Sequence, residues 1–236
     1  MKVQGFAQGL YSTSASKKER LGTLRITSDG RKFRYAYNGA VALTTGVTTS
    51  MIGVEAQHIN KPVAAAVAIG DTEVSVTVGS TAVTADSYMD GYFQVNDGTG
   101  EGQSYPIVGN TYCAASGTTV VTLAEPIRIA LVASSTSEVS LIPNPWYGTV
   151  IQATEATGPA GVTVCAVPIN HYYWSQTGGL GCVLVKGSDA VGSVQEHGST
   201  DGSADISNGY DKNFIGFVIA TANVANEYKP IWLIID

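Results

Sequence analysis

The chain has 236 residues, a formal net charge of −6, 44 % hydrophobic residues and only 14 % charged ones. That length supports one large or two small domains with a substantial core that needs no disulfide or metal staples. The negative balance argues against nucleic acid as a general partner, and no apolar run approaches the ~18 residues of a membrane-spanning helix, so neither nucleic acid nor membrane is expected.

The 27 glycines, together with abundant Thr, Ser, Val and Ala, are the usage of short strands joined by tight turns. Cys113, Cys165 and Cys182 are odd in number, sit in apolar runs and show no CxxC spacing, which predicts buried free thiols. Residues 1–11 lack a continuous apolar stretch, so the expectation is a protein without a leader, made in a reducing cytoplasm.

In chain order, residues 1–20 are rich in Ser, Ala and Gln, have no sustained period, and end in the basic cluster Lys17, Lys18 and Arg20, which predicts an extended N-terminal arm. Eight of the thirteen Lys and Arg lie in the first 34 residues against Glu19 and Asp29, so that segment carries +6 and the remainder −12. From Leu21 the pattern alternates, with Leu24 and Ile26 before Asp29-Gly30 and Phe33, Tyr35 and Tyr37 after it, which predicts a hairpin. A two-residue Asp29-Gly30 loop sets Ile26 opposite Phe33, Leu24 opposite Tyr35, Thr27 opposite Lys32 and Arg25 opposite Arg34. Like charges so paired cost roughly 0.2–1 kcal/mol and predict an acidic partner nearby.

Lys61-Pro62 is expected to break the chain, and strands are expected over 73–78, 92–96, 104–108, 118–124 and 127–132, separated by Gly, Asn and Ser turns. The prolines of Ile142–Gly148 mark a second boundary. Strands are then expected over 149–154, 162–167, 171–175, 182–186, 214–221 and 230–236, with glycines 179, 181 and 187 on turns. The final run Ile231-Trp232-Leu233-Ile234-Ile235 lacks alternation and predicts burial on both faces. The fold expected is all-β, sandwich or barrel-like units of short antiparallel strands: residues 21–62 with 143–236 as one unit built from both ends, and 63–142 as an inserted unit.

Nothing in the pattern assembles chemistry. The nineteen acids are scattered in turns, and His58, His171 and His197 fit no HExxH or Cys/His metal spacing, so no catalytic residue, metal or cofactor is expected. His171 between Cys165 and Cys182 invites a thiol–imidazole reading, but apolar strands predict inert thiols. Asp201, Asp205 and Asp211 lie between His197 and Asp211 without EF-hand spacing, and a solvated loop is the expectation. Tyr172, Tyr173 and Trp174 are expected as strand core or a subunit contact.

The segments LGTLRITSDGRKFRYAYNGA (21–40), DGYFQVNDGTGEGQSYPIVGN (90–110) and NHYYWSQTGGLGCVLVKG (170–187) resemble tailed-phage virion structural proteins of the capsid decoration, or cement, type. The resemblance implies a protein on the capsid exterior that binds the major capsid protein and itself, as a homotrimer, and is not an enzyme. On that reading the arm and hairpin, with Lys17, Lys18, Arg20, Arg25, Lys32 and Arg34, make the contact with acidic capsid. The competing expectations are a tail or fibre component binding a host surface and, remotely, a polysaccharide-degrading enzyme, which would need a carboxylate pair across a groove.

Overall fold

The computed structural model of the chain describes residues 5–151, 157–198, 202–207, 213–220 and 224–236. In order, the strands are β1 (Leu24–Ile26), β2 (Lys32–Tyr37), β3 (Thr48–Ser50), β4 (Lys61–Val63), β5 (Glu73–Thr77), β6 (Tyr92–Gly98), β7 (Ser104–Asn110), β8 (Thr118–Leu123), β9 (Ser134–Ile142), β10 (Val150–Ile151), β11 (Pro159–Thr163), β12 (Tyr172–Val185), β13 (Val194–His197), β14 (Ala204–Ile206), β15 (Phe214–Val218) and β16 (Glu227–Ile234). The fold is all-β, with one 3-10 turn at Ala56–His58 among the described residues. The chain forms two compact units: a terminal unit of Met1–Ile52 with Pro145–Asp236, and a central unit of Gly53–Asn144.

The central unit is a closed antiparallel barrel in the order β4-β5-β8-β7-β6-β9. Alternation explains its interior: Val74 and Val76 from β5, Phe93 and Val95 from β6, Tyr105 and Ile107 from β7, and Val139 and Leu141 from β9 point inward and are buried. Closure removes the exposed strand edges that an open sheet must otherwise protect. Two expectations are corrected here. Pro62 lies within β4 opposite Glu138, tolerated by a bulge between Pro62 and Val63 that relieves the ladder of its missing amide. Residues 127–132 form no strand; the closing strand is β9, hidden in sequence by its serines, whose hydroxyls bond to the neighbouring β6 and the turn after it (Ser137 Oγ to the Thr99 carbonyl, 2.7 Å; Ser140 Oγ to Asn96 Oδ1, 2.9 Å).

A corner recurs in both units. Leu43 pairs with Val167, Val67 with Leu131, and Val83 with Cys113, each through two reciprocal backbone hydrogen bonds. Three residues after each of these six stands a residue in the left-handed region: Gly46, Asn170, Gly70, Ser134, Asp86 and Ser116. The corner turns the chain while burying its apolar residue, and the left-handed position selects Gly, Asn, Asp or Ser.

The terminal unit is a ten-stranded sheet along β10-β3-β11-β12-β14-β13-β15-β16, with β1–β2 paired to β12 and with β16 returning to β12. β12 is continuous over Tyr172–Val185, where two strands and a glycine turn were expected. Its glycines serve close approach: a Cβ at Gly179, whose φ is +77°, would meet Arg31 Cα at 3.0 Å, and one at Gly181 would meet Leu233 Cδ1 at 2.8 Å. The region between His197 and Asp211, expected as a loop, contains β14; Asp201 and Asp211 lie outside the described residues.

The β1–β2 hairpin differs from its expected register by one residue: Leu24 pairs with Arg34, Arg25 with Phe33 and Ile26 with Lys32. The loop has three residues, Ser28-Asp29-Gly30, because the Gly30 amide bonds the Thr27 carbonyl and Gly30, at φ +85°, completes a turn closed by the Thr27 amide and the Arg31 carbonyl. The shift moves Arg25 and Arg34 to opposite faces. The last strand is also corrected: Ile231 and Leu233 are buried, but Trp232 is 44 % and Ile234 49 % exposed. Of the thiols, Cys113 is buried, Cys165 partly buried, and Cys182, expected inside, is exposed.

Candidate functional site

The basic N-terminal segment and the aromatic strand β12 form one assembly. Alternation sends Tyr172 and Trp174 to the face shared with Tyr35 and Tyr37, while Tyr173 points to the opposite side, into a cluster with Ala36, Leu43, Val47 and Val167. Tyr35 and Trp174 meet edge to face at 5.1 Å, Tyr35 stacks on Tyr172 at 5.7 Å, and Phe6 meets Trp174 edge to face at 5.1 Å. Tyr173 and Trp174 are fully buried in their own unit and Tyr172 partly so, which leaves Tyr173 and Trp174 unable to present rings to another subunit.

Residues 5–20, expected as a projecting arm, lie against this cluster. Gln8 is the pin: its side chain accepts from the Tyr35 hydroxyl (2.7 Å) and donates to the Ser12 and Tyr172 carbonyls, while its backbone carbonyl accepts from Trp174 Nε1 (3.2 Å). Ser14 bridges Tyr172 with a reciprocal backbone pair. Burial of the Tyr35 ring pushes its hydroxyl pKa up to about 12, so it remains a proton donor through the neutral range.

The cations are distributed accordingly. Arg25 donates to the Gln8 carbonyl and lies 4.8 Å from the Phe6 ring centre and 5.4 Å from that of Trp174. Arg34 pairs with the Asp236 carboxylate, donates to the Gly22 carbonyl (2.9 Å) and sits 5.1 Å from the Trp146 ring; Lys32 reaches the Asp236 carbonyl. The hydrogen bond from Arg34 holds the Asp236 carboxyl below its usual range. The like-charge pairing that predicted an acidic partner is therefore absent, and Arg34 takes Asp236 of its own chain. Lys17 is partly buried, and Lys18 and Arg20 are exposed.

A second feature lies on the outer face of β12, β16 and the adjoining chain. A recess of about 390 Å³ is lined by Tyr11, Arg31, Thr45, Leu180, Cys182 and Tyr228, among others. Arg31 is fixed at its rim by Asp29 (2.8 Å) and by the Tyr11 hydroxyl, to which it donates. Tyr228, Cys182 and Leu180 were outside the expected site.

The groups singled out for chemistry stand apart. His171 is partly buried with Nδ1 on the Ile169 carbonyl, and desolvation raises the Cys165 thiol pKa. His58 is buried between the Tyr88 hydroxyl (2.6 Å) and the Thr81 carbonyl (3.0 Å), which gives it a structural role in the central unit. Among the described residues no three His, Cys, Asp or Glu side chains converge as a metal site. Compared with protein-family models, curated proteins and solved structures, the chain matches none of them.

Proposed function

We propose that the chain is a structural virion protein that binds the outer surface of a tailed-phage capsid and stabilises it, as a decoration or cement protein. The observation that carries the reading is where the resembling segments fall. Segments 21–40 and 170–187, far apart in sequence, pair as the β2–β12 ladder around Trp174, and segment 90–110 forms the β6–β7 hairpin of the barrel. The likeness therefore resides in the framework of both units, as befits a protein whose function is to hold a shape against a lattice. Its partner on this reading is the major capsid protein, and its location the capsid exterior.

The geometry changes which residues carry the contact. Arg25 is held by Phe6, Gln8 and Trp174 and Arg34 by Asp236; on this reading the capsid-facing surface is made by the exposed side chains of Lys18 and Arg20 with the outward Leu24 and Ile26 of the hairpin. Many weak contacts of this kind become strong when a lattice presents them in multiple copies. The test is co-sedimentation with undecorated capsids: reversing charge at Lys18 and Arg20 together should weaken binding and its salt dependence, and labelled protein should decorate heads. Wild-type protein that binds tails, or leaves capsids undecorated, would overturn the reading.

A further inference from the structure

We infer that the recess beside β12 is a saccharide-binding site that takes one uncharged hexopyranose unit. Its volume of about 390 Å³ is in the range of small-ligand pockets, and its lining residues all belong to the terminal unit. Tyr11 and Tyr228 line it while remaining 59 % and 53 % exposed, so much of each ring is open to an arriving ligand. Both rings are nevertheless fixed. Tyr228 packs on Gly46, where an added Cβ would come within 2.6 Å of its Cε1 and 2.9 Å of its Cδ1. Gly46, at φ +74°, is the left-handed residue of the Leu43 corner, so one glycine serves both the turn and the ring. Tyr11 is held through its hydroxyl, which accepts from Arg31 Nη1 (3.2 Å). Two ordered tyrosines at a recess give the C–H face of a sugar ring apolar surface to pack on and hydroxyls nearby.

The polar groups of the lining select the ligand. Gln176 is 2 % exposed, and its Nε2 donates to the Gly178 (3.2 Å) and Leu180 (2.9 Å) carbonyls, which fixes the amide and leaves Oε1 as its free end. Among the described residues no group donates to that Oε1. An apolar ligand would strip water from it and return no hydrogen bond. A carboxylate or phosphate, which only accepts, would leave it equally unpaired. Arg31 supplies the complementary donors. Its Nε is paired with Asp29 at 2.8 Å, which balances its charge, so the rim offers guanidinium N–H groups without a net charge to favour an anion. A ligand for this lining must donate and accept through neutral groups and carry an apolar face. A pyranose meets all three demands, because each hydroxyl is donor and acceptor and the ring carbons present C–H groups. One hydroxyl donates to Gln176 Oε1, another accepts from Arg31, and the ring lies against Tyr228.

The site is independent of the capsid reading and is tested on the purified full chain without capsids. A ligand of roughly a dozen heavy atoms should bind with a Kd of about 1 mM. The probes are the methyl glycosides of glucose, galactose, mannose and N-acetylglucosamine, each raised to about 50 mM and followed by saturation-transfer NMR. At least one should bind, and at saturation it should slow N-ethylmaleimide labelling of Cys182, the exposed thiol on the recess wall, by about fivefold or more. Tyr228→Ala and Tyr11→Ala should each weaken binding by about tenfold, while Tyr112→Ala, at an exposed position of the central unit, should leave it unchanged. Both recess tyrosines are more than half exposed, so the variants should fold, and an unchanged far-ultraviolet circular dichroism spectrum checks each. Absence of saturation transfer from all four glycosides would overturn the inference, as would binding that survives both tyrosine substitutions. Binding of benzoate or of a blocked tripeptide, with no glycoside bound, would assign the recess to an acid or a peptide and overturn it equally.

Discussion

The two units solve the same problem differently. The central unit closes its sheet and gathers its apolar residues into one cluster, whereas the terminal unit divides its interior among three clusters with polar seams between them. Two buried histidines show the contrast. His58 of the barrel has a partner at each nitrogen, and His197 at the end of β13, 1 % exposed, has none at either. A single enclosed core leaves few polar groups to satisfy, and a branched sheet that divides its interior leaves more. The difference predicts that the barrel responds mainly to lost volume, and the terminal unit also to lost hydrogen bonds and to pH.

The largest effects should be volume losses, and they should separate the units. Trp174→Ala should destabilise the terminal unit by about 3–5 kcal/mol, and Ile107→Ala the central unit by about 2–5 kcal/mol. Urea unfolding followed by hydrogen exchange should assign each loss to its own unit. If both substitutions lower one shared transition equally, the units unfold as one cooperative body and the contrast fails.

Next in size is pH. Desolvation lowers the His197 pKa to about 4, against about 6.5 in an unfolded chain. The unfolded state therefore takes up a proton as pH falls through 6.5 while the folded state resists until about 4. Stability from the neutral imidazole is complete above pH 6.5 and declines by about 3 kcal/mol by pH 4. Denaturation of the terminal unit at pH 7, 5 and 4 should show this loss, and His197→Leu should flatten it.

Smaller again is Gln8→Ala, which leaves the buried Tyr35 hydroxyl without its acceptor and should cost about 1–3 kcal/mol. Faster proteolysis within residues 5–20 should accompany it.

How far these differences were legible in sequence follows from what sets each feature. The all-β character and most barrel strands could be read because alternation is local: Val74 and Val76 announce an inward face unaided. Strand β9 was missed because Ser134–Ser140 looks like a loop until Thr99 and Asn96 supply partners for its hydroxyls. The recurring corner was missed because its spacing varies, although Ala-Leu-Thr-Thr-Gly at 42–46, Ala-Val-Ala-Ile-Gly at 66–70 and Ala-Val-Pro-Ile-Asn at 166–170 carry it openly. The basic site was misplaced by one turn residue: a three-residue loop moved Arg25 inward to Trp174 and Arg34 outward to Asp236. Neither Gln8 nor Asp236 had any local signal, since Asp236 acts through Arg34 and Gln8 through Tyr35, Tyr172 and Trp174, which only the fold brings to them.

The smallest expected effect tests whether that last contact matters. Arg34 and Asp236 are each partly exposed, with side chains 22 % and 30 % accessible, and pairs of this kind contribute up to about 1 kcal/mol. In a double-mutant cycle of Arg34→Ala and Asp236→Asn, the coupling should lie below that value and shrink with added salt. Because Arg34 lowers the Asp236 pKa, the contribution is present above pH 3.8 and lost as pH falls below it, separate from the His197 window. A coupling well above 1 kcal/mol would make the C-terminal residue a structural lock for the hairpin, and the terminal unit would then depend on charge as well as on its polar seams. A coupling near zero would leave Trp174 and Gln8 as what holds residues 5–40 in place.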